Sequence, residues 1–174
     1  MSAQRLPLVG VMGSGTHSHF HLSEPLGRWL ASLPVHLLTG GGGGVMSAVS
    51  GAFARVEGRS GRVIGILPSD ETGLTPPPGY PNPWVEIPIQ THLAARGDGG
   101  ADPNSRNHIN ILSSRAVVAL PGGPGTASEV RLALDYGTPL LAFLLSPRDI
   151  PGLPDTVRWT SRLEDVREFV LALL

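Results

Sequence analysis

The chain has 174 residues, a formal net charge of −1, and 41% hydrophobic against 16% charged residues. That charge content lies below the roughly 25% usual in globular proteins, and the length suits one domain with a core of its own. With no basic block, nucleic acid and anionic membranes are poor partners; with no cysteine, disulfides and thiolate chemistry are excluded; and with all 13 basic residues being Arg, so are a pyridoxal-phosphate Schiff base and a Walker-A loop, which need Lys.

Residues 1–12 hold one Arg and a Pro-broken apolar stretch that runs into a Gly/Ser/His loop, unlike a signal peptide. The longest apolar run, 140–145, is far short of the ~20 residues a membrane helix needs. A cytoplasmic protein with no membrane partner is expected.

From there apolar runs alternate with amphipathic segments, the pattern of parallel strands crossed over by helices. Strands are expected at 6–12, 36–39, 62–67, 116–120 and 140–144, with shorter pieces near 84–87 and 156–159. Ser23 reads as the N-cap of the first helix, with Glu24 and Pro25 in its first turn and Leu26, Trp29, Leu30 and Leu33 along one face. A second helix follows the five glycines and carries Val45, Met46, Val49, Phe53 and Val56. Residues 105–114 form a third. The fourth begins near Thr126, turns Val130, Ala133 and Leu134 inward, and stops at Gly137 before Pro139. The last opens with a capping box, Ser161 and Glu164, and carries Leu163, Val166, Phe169, Val170, Leu173 and Leu174. Segments 68–83 and 96–104 are loops. The whole is expected to be a Rossmann-like doubly wound α/β fold, a single nucleotide-binding domain over 1–174.

Three glycine loops follow strands: Gly13-Ser14-Gly15, the run Gly40, Gly41, Gly42, Gly43, Gly44, and Pro121-Gly122-Gly123-Pro124-Gly125-Thr126. At the carboxyl edge of a parallel sheet such loops lead into helix N-termini, where free N–H groups and the helix dipole favour an anion. A small phosphorylated ligand is the expected partner. The dinucleotide spacing G-x-G-x-x-G is not met, because Ser18 follows Gly13 and Gly15, and Ser128 follows Gly123 and Gly125.

Two charged residues flank the fourth strand, Arg106 before it and Glu129 after it, 23 positions apart. Thr126-Ala127-Ser128-Glu129 matches a capping box, in which Glu129 only returns a hydrogen bond to the cap, and Arg106 could pair with Asp102 or a helix end. A catalytic or binding role is the alternative for both. His17, His19 and His21 alternate as metal ligands in a strand would, although a His-rich loop beside a glycine turn more often meets ligand or solvent, and no metal is expected. Phe20, Trp29 and Trp84 read as core or interface, and His108 as pocket-lining or exposed.

The stretch "SRNHINILSSRAVVALPGGPGTASE" resembles the R-x(n)-PGG-x-GT-x-x-E signature of the LOG (Lonely Guy) family, often mislabelled as lysine decarboxylases, and "LLTGGGGGVMSAVSGAF" resembles that family's glycine loop and following helix. The pattern is similar to that of the short bacterial members that resemble the molybdenum cofactor carrier protein. The resemblance implies a Rossmann-like homodimer whose catalytic members hydrolyse nucleoside 5′-monophosphates to free base and ribose 5-phosphate. It implies Arg106 and Glu129 as catalytic residues, and Gly122, Gly123, Gly125 and Thr126 as the phosphate turn. Glu129 would then stabilise the charge on the ribose ring; no second carboxylate for protonating the base is evident, and neither Asp98 nor Asp102 in the 96–104 loop is assigned that role. No cofactor is required on that reading.

Two departures matter. Asn107 stands where cytokinin-activating members have Lys, and Gly44-Val45-Met46-Ser47 replaces their Gly-Leu-Met-Gly; both look more like the carrier-type branch, which implies a non-catalytic protein binding a nucleotide or the molybdenum cofactor. A dimer surface on the helix after Arg106, through Ile109, Ile111 and Leu112, is expected.

Overall fold

The computed structural model describes residues 5–174, so the first four residues of the opening segment lie outside the described residues. Seven strands form one parallel sheet: β1 (Leu8–Met12), β2 (His36–Thr39), β3 (Val63–Leu67), β4 (Ile87–Gln90), β5 (Ala116–Ala119), β6 (Leu140–Phe143) and β7 (Trp159–Thr160). Their spatial order, β4-β3-β2-β1-β5-β6-β7, reverses direction at β1, the doubly wound Rossmann-like arrangement. Both edge strands start later than their sequence positions suggest. Residues before β4 are held in a turn, with Val85 N donating to Asn82 O, and those before β7 in another, with Val157 N donating to Pro154 O. Local turn bonds therefore win until the chain is past them.

Helices α1 (Phe20–Ala31), α2 (Gly44–Ala54) and α5 (Leu163–Leu171) pack on one face, where Val9, Leu37, Val118 and Phe143 meet Leu26, Leu30, Phe53 and Val166. Helices α3 (Asn107–Ser113) and α4 (Pro124–Tyr136) pack on the other, where Met12 and Val117 meet Ile111, Leu132 and Ala133. Each such fully buried side chain contributes about 1.5–3 kcal/mol of transfer free energy. The β2–β4 half of that second face holds Leu38, Ile64 and Ile66, with Leu8 and Ile109 packed beside them.

Helix ends account for most of the corrections. Ser23 is not a cap: α1 starts at Phe20, and Ser23 is buried inside it, its Oγ donating to Ser18 O at 2.7 Å and His19 O at 3.1 Å. The cap position is His19, in the left-handed region at φ 43, a sparsely populated region for a residue with a Cβ. In α5 the Ser161–Glu164 box does not form: the cap is Arg162, without a side-chain cap bond, and Thr160 Oγ1 accepts from Arg162 N at 3.1 Å and donates to Asp165 Oδ2. Val56 lies just past α2 and Leu174 past α5, and α3 begins at Asn107, after Ser105 Oγ has accepted from Asn107 N. In α4, Leu132 rather than Leu134 turns inward, and Leu134 is exposed. Gly137 ends that helix at φ 66, as its position before Pro139 predicts.

Candidate functional site

The reversal of strand order sets β1 beside β5, Met12 opposite Ala119. The loops leaving both strands therefore diverge from one point and leave a cleft of about 260 Å³ between them. One wall is Gly13 to Thr16, and the facing wall is the start of α4 with Gly123, Gly125 and Thr126.

The loop before α4 is tightly closed. A Cβ on Gly122 would collide with Thr126 Oγ1 and lie 2.9 Å from Ser14 N, so only glycine admits this turn. Gly122 N donates to Asp149 O at 3.0 Å, and Pro121 O accepts from Ser14 N at 2.9 Å, which ties the two walls together. Gly123 is the cap of α4 and Pro124 its first residue, where a missing N–H costs nothing. The first-turn N–H groups of Gly125 and Thr126 consequently have no intrahelical acceptor, and they meet the positive end of the helix dipole at the cleft. An anion fits there.

This start also removes the capping role of Glu129. With Gly123 as cap, Thr126 lies inside the first turn and Glu129 in the second, so the Thr126–Glu129 capping box does not exist. Glu129 is instead 7% exposed beneath the cleft, accepting from Asn110 Nδ2 at 3.4 Å, with Arg106 Nη1 3.9 Å from its Oε1. Burial pushes its carboxyl up to about 7, against the pull of Arg106 and of the Asn110 bond.

Arg106 comes from the cap position of α3 and is 6% exposed. Its guanidinium lies against Gly40, where any Cβ would collide with Nη2, and its Nη1 donates to Asn107 Oδ1. Asn107 Nδ2 reaches Ser128 Oγ at 3.3 Å, and Ser128 Oγ donates to Gly125 O, so the helix carrying Arg106 is tied to the anion-binding turn. Asp102 is not the partner of Arg106: its Oδ1 accepts from Asn104 N.

Of the residues singled out in the sequence, Gly13, Ser14, Arg106, Asn107, Gly123, Gly125, Thr126 and Glu129 line the cleft, whereas Gly41, Gly42, Gly43, Gly44, Pro121 and Gly122 do not. Gly41 and Gly42 are buried, their carbonyls accepting from Asn82 N at 2.7 Å and Asn82 Nδ2 at 2.8 Å. They hold the loop that lays Tyr80 over the cleft. Asp98 and Asp102 lie outside the cleft. His108 bridges Tyr136 Oη and Asp102 O, also outside it. His17, His19 and His21 lie in a loop and the first turn of α1 rather than in a strand, with successive ring centroids 6.2 Å apart. Among the described residues no group of three His, Asp or Glu is arranged to hold a metal ion. Burial, then His21 and His17, push the His19 imidazole below its ordinary value.

Several residues of this site escaped the sequence reading. Tyr80 and Arg96 line the cleft from loops without periodicity, Met46 looks like any core position of α2, and Asn110 is legible only once α3 and α4 are seen to pack. Tyr80 and Met46, which meet over Gly42, give the cleft apolar lining beside Arg106 and the anion cradle. The cleft thus suits a ligand with a ring at one end and a phosphate at the other.

A model of the SLOG cluster4 family matches residues 6–163. The molybdenum cofactor binding protein of Rippkaea orientalis superposes with a TM-score of 0.76 at 33% identity, over 98% of each chain. A Moco carrier protein of Chlamydomonas reinhardtii does so with a TM-score of 0.71 at 30% identity, over 97% of this chain and all of that one. An uncharacterized protein of Archaeoglobus fulgidus is 31% identical over 151 residues, 86% of this chain and 87% of its own.

Proposed function

Because the chain belongs to the SLOG cluster4 family, we propose that it binds and carries a small phosphorylated heterocycle, a phosphate-bearing pterin such as the molybdenum cofactor or a nucleoside monophosphate. The phosphate sits on the Gly125 and Thr126 amides within reach of Arg106, and the ring lies against Tyr80 and Met46. The relatives described as binding or carrying the molybdenum cofactor support the ligand class.

One observation carries the choice of binding over turnover. Among the described residues the only carboxylate lining the cleft is Glu129, which is buried and has its carboxyl pushed up to about 7. Burial thus disfavours the ionised form, the one that would stabilise an oxocarbenium-like ribose. No second carboxyl lines the cleft to share the work among the described residues. The rival reading, a LOG-type phosphoribohydrolase, would use the same carboxyl as a general acid or base. The absence of Lys excludes a pyridoxal-dependent lysine decarboxylase.

GMP, whose base shares the 2-amino-4-oxo edge of a pterin, separates the readings. Calorimetry is expected to show saturable binding, and prolonged incubation of GMP or AMP with the protein to release no ribose 5-phosphate. Release that disappears in both Glu129→Gln and Arg106→Ala replaces the carrier with the hydrolase. Absence of GMP binding overturns the cleft assignment itself.

We also propose that two copies pair through the β2–β4 half of the sheet. Ile87 and Ile89 stand in register with Ile64 and Ile66, and both are about two-fifths exposed on the edge strand. Leu112 of α3 is exposed as well, whereas Ile111, assigned to such a surface above, is fully buried and unavailable. Burying this apolar surface favours association. Light scattering is expected to give a dimer for the parent protein and a monomer for Ile89→Lys; a parent monomer removes the proposal.

A further inference from the structure

A second cavity, about 310 Å³, lies along α2 on the far side of the glycine wall from the cleft, and Thr16 lines both. The wall is made where Gly44 packs onto Ser14 and Gly15 so closely that a Cβ on it would collide with Ser14 O. The floor of the second cavity is the small-residue face of α2: Gly44, Ser47, Ala48 and Gly51. At ~1.5 Å rise per residue this floor runs about 10 Å from the start of α2, beside the cleft, toward its other end.

Two aromatic side chains flank that floor, both read above as core or interface. Phe20 is 63% exposed and packs into no core cluster among the described residues. Trp84 lies flat on α2 because Gly51 has no side chain; a Cβ there would come within 2.9 Å of Trp84 Nε1. Arg55, at the C-cap of α2, stacks its guanidinium 4.2 Å above the indole. Arg55 has no carboxylate partner among the described residues. Trp84 with Arg55 docks its loop on α2, but neither Trp84 nor the exposed Phe20 belongs to a core cluster, and the Arg55 charge has no carboxylate partner, among the described residues. Together they match what a second planar heterocycle needs: aromatic and guanidinium faces to stack on, with positive charge beside its phosphate.

We propose that this cavity is a subsite for the second half of a dinucleotide-type ligand, a heterocycle joined through a pyrophosphate to the group held in the cleft. The linking phosphates pass Thr16 and the start of α2. The far heterocycle lies on Ala48 and Gly51 between Phe20 and the Arg55–Trp84 stack. This rests on the cleft reading above and extends it from mononucleotide-sized to dinucleotide-sized ligands.

The test compares GMP with di(guanosine-5′) pyrophosphate by calorimetry on the full chain. The pyrophosphate is expected to bind at least tenfold tighter than GMP. Ala48→Phe, which fills the floor, and Trp84→Ala, which removes the stack, are each expected to abolish that advantage while GMP affinity stays unchanged. Two substitutions of opposite kind, one filling and one deleting, guard against a simple folding defect, and unchanged GMP affinity shows that the cleft is intact. Equal affinity of both ligands for the parent protein, or equal weakening of both by the variants, overturns the subsite alone. Failure of both ligands to bind the parent overturns the cleft reading and the subsite with it.

Discussion

Arg106→Ala is expected to weaken GMP binding by about 100-fold, the size of effect that follows from losing charge-assisted hydrogen bonds worth roughly 1.5–3 kcal/mol in a largely desolvated site. Among the residues lining the cleft, the other basic side chain is Arg96. It comes from the loop that starts the turn Gly97–Gly99 rather than from the packed floor. Arg106→Lys is expected to rescue little. The guanidinium is seated flat against Gly40 with Nη1 on Asn107, a planar fork that an ammonium cannot reproduce. Removing Arg106 also leaves Glu129 buried without its cation, which its carboxyl answers by staying protonated to higher pH. The double variant Arg106→Ala/Glu129→Gln is therefore expected to regain thermal stability relative to Arg106→Ala while remaining unable to bind GMP. If GMP affinity returns with stability, Arg106 supports the fold rather than the ligand.

The parts of this molecule that could be read from the chain and those that could not divide along a physical line. The inner strands are continuous apolar runs buried on both faces, a signal that depends only on local composition, and β1, β2, β3, β5 and β6 lie where it puts them, some trimmed by a residue or two. The caps at Ser23, Thr126 and Ser161 were misplaced because capping residues recur at many positions, and the winner is chosen by tertiary bonds. Ser23 is drawn to the Ser18 and His19 carbonyls, and α4 starts at Pro124 after a turn that closes on Ser14 through Pro121 O and Gly122. The same reason explains the site. Arg106, Glu129 and the Gly123–Thr126 turn were visible through their motif spacing. Tyr80, Arg96 and Asn110 arrive from loops and from a helix contact that no spacing encodes. The five-glycine run looked like a ligand cradle, but most of it serves packing: Gly40 seats Arg106, and the carbonyls of Gly41 and Gly42 anchor Asn82.

Raising the pH through neutrality is expected to lower both the stability of the protein and its affinity for a phosphate monoester, through the single proton on Glu129. For stability, the group ionises near 4.5 when unfolded and about 7 when folded. Between those values the folded chain keeps a proton that the unfolded chain has lost, so the contribution of Glu129 to stability is largest below 4.5, falls as pH rises toward 7, and levels off above. The full change is about 3 kcal/mol. Glu129→Gln removes the ionisation, so its unfolding free energy, measured in urea from pH 5 to 8, is expected to lose that slope. For binding, an ionised Glu129 competes with the ligand for Arg106, and a neutral one releases it. Asn110, bonded through Nδ2 to Glu129 Oε1, has its Oδ1 buried without a donor among the described residues. The other ionisable side chains facing this cleft are Arg96, Tyr80 and Arg106 itself. Binding a phosphate there takes up one proton above pH 7, and GMP affinity is expected to fall up to tenfold per pH unit between 7 and 9, once corrected for ionisation of the ligand itself. In Glu129→Gln the decline is expected to vanish and the affinity at pH 8 to match that of the parent at pH 6 or exceed it. A parent protein whose corrected affinity stays level from pH 6 to 9 uncouples Glu129 from the ligand, and with it the view that this buried carboxyl governs how Arg106 is shared.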